Sequence, residues 1–279
     1  MKPVEHQPDY LVIGHVTRDL LPGGAFAPGG TALYAALAVQ RLGLRAAVVT
    51  AAAGLPAELS ALLVACAPAT QTTTLAHRYV GERREQQISA VAPRLSLADV
   101  PLAWRGAPIV HLGPVLGECD LALLAAFPNA LVGASGQGWL RGWHGPLPAP
   151  MERLAWVPDP ALLARLGLLT LSIEDVAGDA STAARYAAHC PLVALTYGAG
   201  GLTLFIAGEP VDLPAYPATE RDSNGAGDVF TAAMLAQLHA TGDPLAAARF
   251  GAAAAACAVE GFAFTTLPSR KEVELRMQN

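Results

Sequence analysis

The chain has 279 residues, 53% of them hydrophobic, enough to bury a large core within one α/β domain. A formal net charge of −5 argues against nucleic acid as the main partner. Cys66, Cys119, Cys190 and Cys257 show neither metal-ligand spacing nor a disulfide framework, so a reducing, cytoplasmic setting is expected. Met1 to Asp9 is polar, without the apolar core of a signal peptide, and residues 121–140 are interrupted by Pro128, Gly133, Gly136 and Gly138. No membrane partner is expected.

Tyr10-Leu11-Val12-Ile13-Gly14 reads as a buried strand ending at a glycine, and Asp19 follows its C-terminal end, where open α/β sheets bind ligands. The loop through Gly29-Gly30 leads to a helix over 31–42, with Thr31 as N-cap and Gly43 as the C-terminal glycine. That loop is short, and the spacing predicts little room in it for a lid strand. A second lid segment is predicted around 73–92, with Gly81-Glu82-Arg83-Arg84-Glu85 as a charged hairpin tip. Residues 46–50, 108–112 and 130–132 read as strands, and 57–66 and 119–127 as helices. Such alternation argues for a parallel sheet covered on both faces. Without a fixed repeat or a break in composition, residues 1–279 read as one domain.

Ser135-Gly136-Gln137-Gly138-Trp139-Leu140-Arg141 follows a strand and is unusually polar for a sheet edge. A surface loop is its simplest reading; Gln137 and Arg141 there could instead meet substrate hydroxyls or developing phosphate charge. Glu174 and Asp175 end another strand, where they suit a helix dipole. Thr196-Tyr197-Gly198-Ala199-Gly200-Gly201 turns between two strands, and Asp243-Pro244 begins a helix as N-cap and first residue.

The most informative stretch is Asp222-Ser223-Asn224-Gly225-Ala226-Gly227-Asp228. Ala226, Phe230, Met234 and Leu238 recur at helical spacing, so a helix begins at about Ala226. Its first turn offers unpaired N–H groups and a positive dipole end to an anion. Gly225 and Gly227 let that anion approach the backbone. Asp228 can take a proton from a hydroxyl that attacks phosphorus. Capping by Asp222 or Asn224 is the bland alternative. No third glycine completes a dinucleotide fingerprint, and no Lys-Ser/Thr pair completes a Walker loop.

Asp-Ser-x-Gly-Ala-Gly-Asp followed by Val-Phe-Thr-Ala-Ala-Met-Leu resembles the C-terminal signature of the ribokinase-like (PfkB) carbohydrate kinases. The resemblance implies a three-layer α/β/α fold with a central, mostly parallel sheet and, here, a reduced β lid. It implies phosphoryl transfer from ATP to a hydroxyl of a sugar, polyol or nucleoside, with Gly225, Ala226 and Gly227 as the anion hole and Asp228 as base. A nucleoside- or inositol-type kinase is the alternative, and a non-catalytic nucleotide-binding regulator a more distant one. Asp19, Gly29 and Gly30 would hold the acceptor together with Gln137 and Arg141. Tyr34 stands where the family usually has Asn, so an aromatic ring is expected to stack on the ligand or wall it off. Thr196, Gly198, Gly201, Asn224 and Gly251 would bind nucleotide. Asp175 and Glu174 stand in for the family's Asn-x-x-Glu at Mg²⁺, with Asp222 as a further metal-side carboxylate. The resemblance leaves room for a monovalent cation and for a homodimer.

Overall fold

The computed structural model describes residues 7–80 and 83–278. Gly81 and Glu82 of the charged tip, and residues 1–6 of the polar opening, lie outside the described residues, as do the side chains of Arg83, Arg84 and Glu85. In chain order the strands are β1 (Tyr10–Ile13), β2 (Thr17–Leu20), β3 (Phe26–Gly29), β4 (Ala46–Ala52), β5 (Leu63–Pro68), β6 (Thr73–Val80), β7 (Arg83–Ala90), β8 (Ile109–Leu112) and β9 (Leu131–Ser135). They continue as β10 (Arg141–Gly142), β11 (Ala149–Pro150), β12 (Glu152–Arg153), β13 (Leu168–Ser172), β14 (Leu192–Thr196), β15 (Leu202–Ile206) and β16 (Glu209–Leu213). The helices are α1 (Thr31–Arg41), α2 (Pro160–Leu163), α3 (Ser181–Ala187), α4 (Ala226–Thr241), α5 (Pro244–Ala258) and α6 (Arg270–Arg276).

Nine strands form the main sheet in the order β16-β15-β14-β13-β9-β8-β1-β4-β5. From β5 to β14 the pairing is parallel, and β15 and β16 add an antiparallel hairpin at one edge. Side chains alternate between two apolar cores. Tyr10 and Val12 face α1, α4 and α5, while Leu11 and Ile13 face the layer containing Trp104, Leu124 and Tyr186. Burial on both sides explains why these strands read as unbroken hydrophobic runs.

Two expected helices differ in the structure. Residues 57–66 give only a 3₁₀ turn, Ala57–Ala61, before β5, because Leu63 to Pro68 complete the parallel ladder beside β4. Residues 119–127 give a 3₁₀ helix, Leu121–Ala126, capped by Asp120. In both, tertiary pairing and packing outweigh a weak local propensity.

The lid is also fuller than the short loop suggested. Strands β2 and β3 pair around a tight turn at Pro22–Gly24, and the second sheet has five strands, β11-β7-β6-β2-β3. Four-residue strands need little chain, which is how two of them fit before Gly30. Leu75 and Ile88 of this sheet pack with Val115 and Leu116 into a small apolar cluster of their own.

A buried polar knot joins the lid to the main sheet. Glu118, 2% exposed, accepts hydrogen bonds from the backbone N–H groups of His15, Val115 and Leu116 at 2.8–2.9 Å. The His15 ring meets Thr73 Oγ1 at 2.8 Å and Pro93 O at 2.9 Å. Glu118→Ala would orphan three buried N–H groups, each costing about 1–3 kcal/mol. A stability loss of ~3 kcal/mol or more is expected in urea denaturation, and a loss under 1 kcal/mol would contradict the knot.

Candidate active site

The site lies at the C-terminal ends of β1, β9, β13 and β14, beneath the lid, where a parallel sheet presents its loops to a ligand. The motif loop enters from β16 and reverses at Gly225, whose φ of 75° is left-handed and so suits glycine. Helix α4 then starts at Ala226, as the spacing predicts. A Cβ on Gly225 would sit 2.4 Å or less from the Tyr34 ring, so even without the conformational limit no side chain fits there. At Gly227 the added Cβ meets nothing within 4 Å and faces a cavity. The first-turn N–H groups of Gly227 and Asp228 have no intrahelical acceptor and remain available to an anion.

Asp228 is 8% exposed. Burial pushes its carboxyl up to about 6, against the opposing pull of the Thr31 hydroxyl bonded to it and of the Arg141 guanidinium. Gln137 donates from Nε2 to Thr31 Oγ1 at 3.1 Å and reaches Asp228 Oδ1 at 3.5 Å. Thr31 is therefore not the helix N-cap. Gly30 (φ 92°) holds that position, and the Thr31 methyl packs where a Cβ of Gly113 would be, leaving its hydroxyl to Asp228.

Two cavities meet at Asp228. The larger, about 670 Å³, is lined by Asp19, Gly30, Tyr34 and Asn224 beneath the lid residues Leu75 and Gln86. The smaller, about 190 Å³, runs over the strand ends past Ser135, Thr170, Ser172, Thr196 and Gly227. Gln137, Arg141, Glu174, Asp175 and Gly225 border both. Asp19 lies on β2, where Thr17 Oγ1 donates to its Oδ1 at 3.1 Å. Gly29 has no Cβ because Asp19 Oδ2 and Thr17 Oγ1 would lie 2.7 and 2.8 Å from it.

Several of the remaining predicted residues hold packing or turn positions. Tyr34 borders the larger cavity but is only 7% exposed, with Phe264 at 4.6 Å between ring centroids and Gly225 against its ring. Packed against Phe264 and Gly225, the ring forms part of the cavity wall and supports the motif loop. Tyr34→Asn is thus expected to lower kcat as well as change acceptor KM, and to cost ~3 kcal/mol or more for a lost buried ring. A changed acceptor preference at unchanged kcat and melting temperature would instead make Tyr34 a simple ligand contact.

Gly251 lies where α5 packs on α4, away from the lining of both cavities. A Cβ there would lie 2.8 Å from Phe230 O and 3.1 Å from Met234 Cβ, so the glycine lets α5 lie close on α4. Gly201 (φ 90°) sits in the hairpin turn with Leu213 O 2.3 Å from its Cβ position. Gly198 (φ 57°) begins the 3₁₀ turn after Tyr197. Asn224 borders the larger cavity, its N–H donating to Asp222 Oδ1 at 3.0 Å.

The three carboxylates expected near metal do not gather, and the described residues hold no cluster of three or more metal-ligating side chains. Asp175 is committed to protein: Arg141 donates to its Oδ1 at 2.8 Å, and the Ser172 hydroxyl and N–H donate to its Oδ2 at 2.7 and 2.9 Å. Asp222 ties the motif loop to the segment after α5, accepting from Ala263 N at 3.0 Å. Glu174 remains exposed at the border of both cavities, and it suits a hard cation held through water and phosphate oxygens.

Thr31 and Ser135 were not singled out as site residues by sequence reasoning. A threonine directly after a glycine pair, and one hydroxyl closing an apolar strand, were the available signals.

Comparison with known proteins agrees with this architecture. The chain superposes on a pyrophosphate-dependent kinase in the ribokinase family, solved with a pyrophosphate analog and myo-inositol, at a TM-score of 0.78 and 20% identity over 95% of this chain and 99% of that one. It superposes on Arabidopsis thaliana ribokinase, solved with ribose and ATP, at 0.72 and 20% identity over 98% and 100%. The fold is thus the ribokinase fold. Residues 170–270, which include the motif loop, match the model of the pfkB family carbohydrate kinases. A stretch of 89 residues is 40% identical to the bifunctional protein HldE of Rhodopseudomonas palustris, covering 32% of this chain. It spans only 18% of that relative's length.

Proposed function

We propose that the protein is a phosphotransferase that moves the γ-phosphoryl group of ATP to a hydroxyl of a sugar or related small molecule. The observation that carries this reading is the meeting of two cavities at one buried carboxylate beside a helix N-terminus. In this reading the acceptor occupies the larger cavity, with Asp19 receiving its hydroxyl hydrogen bonds. The donor phosphates occupy the smaller cavity. The acceptor oxygen attacks the terminal phosphorus and its proton passes to Asp228; the bond to the donor's bridging oxygen breaks. The N–H groups of Gly227 and Asp228, with the Arg141 cation, face the charge that builds on the phosphoryl oxygens. Bound Mg²⁺, for which Glu174 is the available carboxylate, would neutralise donor phosphate charge.

A second reading of the donor rests on the small size of its cavity, about 190 Å³. Inorganic pyrophosphate fits such a space without a nucleoside. Pyrophosphate-dependent kinases are among the structures of this fold, one of them complexed with myo-inositol. Inositols therefore belong in the acceptor class beside sugars, polyols and nucleosides. The four free cysteines fit a cytoplasmic setting. Among the described residues no helix is long and apolar enough to cross a membrane.

The test is a screen of these acceptors with ATP and with pyrophosphate, read by phosphorus NMR. A new phosphomonoester, formed with equal ADP or orthophosphate, is expected for one donor. Donor cleavage to water alone across the panel would overturn the transferase reading.

A further inference from the structure

Beneath the smaller cavity lies a row of buried polar groups that phosphoryl transfer, as described, does not use. Tyr10 and His111 are fully buried, and Ser135 is 4% exposed at the end of β9. Tyr10 Oη lies 3.0 Å from His111 Nδ1, and His111 Nε2 lies 2.9 Å from Ser135 Oγ.

The direction of these bonds follows from counting protons. Among the described residues the Tyr10 hydroxyl has one hydrogen-bond partner, His111 Nδ1. A buried O–H must donate, so Nδ1 accepts. Burial pushes the His111 ring down to about 3, so it is neutral at working pH and carries one ring proton. That proton is on Nε2 and is donated to Ser135 Oγ. The Ser135 hydroxyl hydrogen is then left with no acceptor among the described residues, at the wall of a cavity shared with Gly227 and Asp228. Its buried neighbours differ: Thr231 donates to Gly227 O at 2.9 Å, and Thr170 is bonded to Thr231 at 2.7 Å and to Ala134 O at 3.3 Å.

We propose that Ser135 is an anion ligand on the donor side, its hydroxyl hydrogen aimed at a phosphate oxygen by the buried Tyr10–His111 pair. The assignment rests on the phosphotransferase reading for which cavity takes the donor. The ligand class is the terminal phosphates of a phosphoanhydride, whether from ATP or from pyrophosphate. Tyr10 and His111 are positioning residues: Tyr10 fixes the tautomer, and the tautomer turns Ser135 into a donor.

The test titrates wild type, Ser135→Ala and Tyr10→Phe with inorganic pyrophosphate and, separately, with MgATP by calorimetry. A hydrogen bond to a charged group predicts about tenfold or more weaker binding for Ser135→Ala. The affected probe identifies the donor. Tyr10→Phe, which keeps the ring and its packing, should weaken the same probe to a smaller degree. Adding it to Ser135→Ala should change nothing further. Nitrogen-15 NMR should find His111 protonated at Nε2 in wild type and no longer restricted to that form in Tyr10→Phe. Equal affinity of wild type and Ser135→Ala, or an Nδ1-protonated His111 in wild type, overturns the proposal. A wild type that binds neither probe overturns this proposal and the proposed function together. Weakened binding in Ser135→Ala with no acceptor phosphorylated upholds the ligand and sinks only the function.

Discussion

Asp228→Asn is expected to lower phosphoryl transfer by roughly a hundredfold or more, the scale for removing a positioned base, while making the fold more stable. Both effects have one cause. Burial lifts the carboxyl from 3.8 to about 6, so the folded state holds its proton more tightly than the unfolded chain does. The associated stability is fully present below pH 3.8 and is lost as pH rises through about 6. At pH 7 the ionised group costs the fold ~2–3 kcal/mol. Asparagine has no charge to desolvate, and its carbonyl oxygen can still accept from Thr31 and Gln137. A higher melting temperature with lost turnover is the signature of a group held for chemistry at the expense of stability. Thermal scans at pH 4.5 and 7.5 check it, since the gain should appear mainly at the higher pH.

Gly227→Val should be nearly as damaging to turnover, by a different route. A Cβ at Gly227 touches nothing within 4 Å at the border of the smaller cavity, so the valine folds without strain and fills space that the proposed phosphoryl group would need. A kcat reduction of roughly a hundredfold is expected, as for loss of oxyanion stabilisation, with an unchanged melting temperature. Gly225 behaves differently, because both its φ of 75° and the Tyr34 ring oppose any side chain. Replacement there should disturb the loop itself. If Gly227→Val kept full turnover, the loop would be a turn and not an anion hole.

How much of this was legible in the sequence varied by residue. The start of α4 at the motif loop was readable, because it is written in contiguous residues: two glycines, one aspartate and a periodic apolar run. The α5 cap was equally local, with Asp243 accepting from Leu245 N and Ala246 N as Asp-Pro suggests. What depended on distant neighbours was harder to read. Thr31 looks like a cap until Gly113 and Gln137 arrive beside it from other strands. The close packing of α4 on Gly251 likewise depends on a helix that precedes it in the chain. Asp175 resembles a metal carboxylate until Arg141 and Ser172 claim its oxygens. Tyr34 stands out in the sequence, but its packing against Phe264 and Gly225 comes from distant segments.

The central claim is that a buried carboxylate, Asp228, removes the acceptor's proton at the junction of two cavities. The most direct measurement is the pH dependence of single-turnover phosphoryl transfer with the acceptor and donor that the screen identifies. The account predicts an acid limb with its midpoint near pH 6, matching the raised Asp228, and loss of that limb in Asp228→Asn. A rate that stays flat between about pH 4.5 and 7.5 in wild type, or a limb that survives in Asp228→Asn, would contradict it.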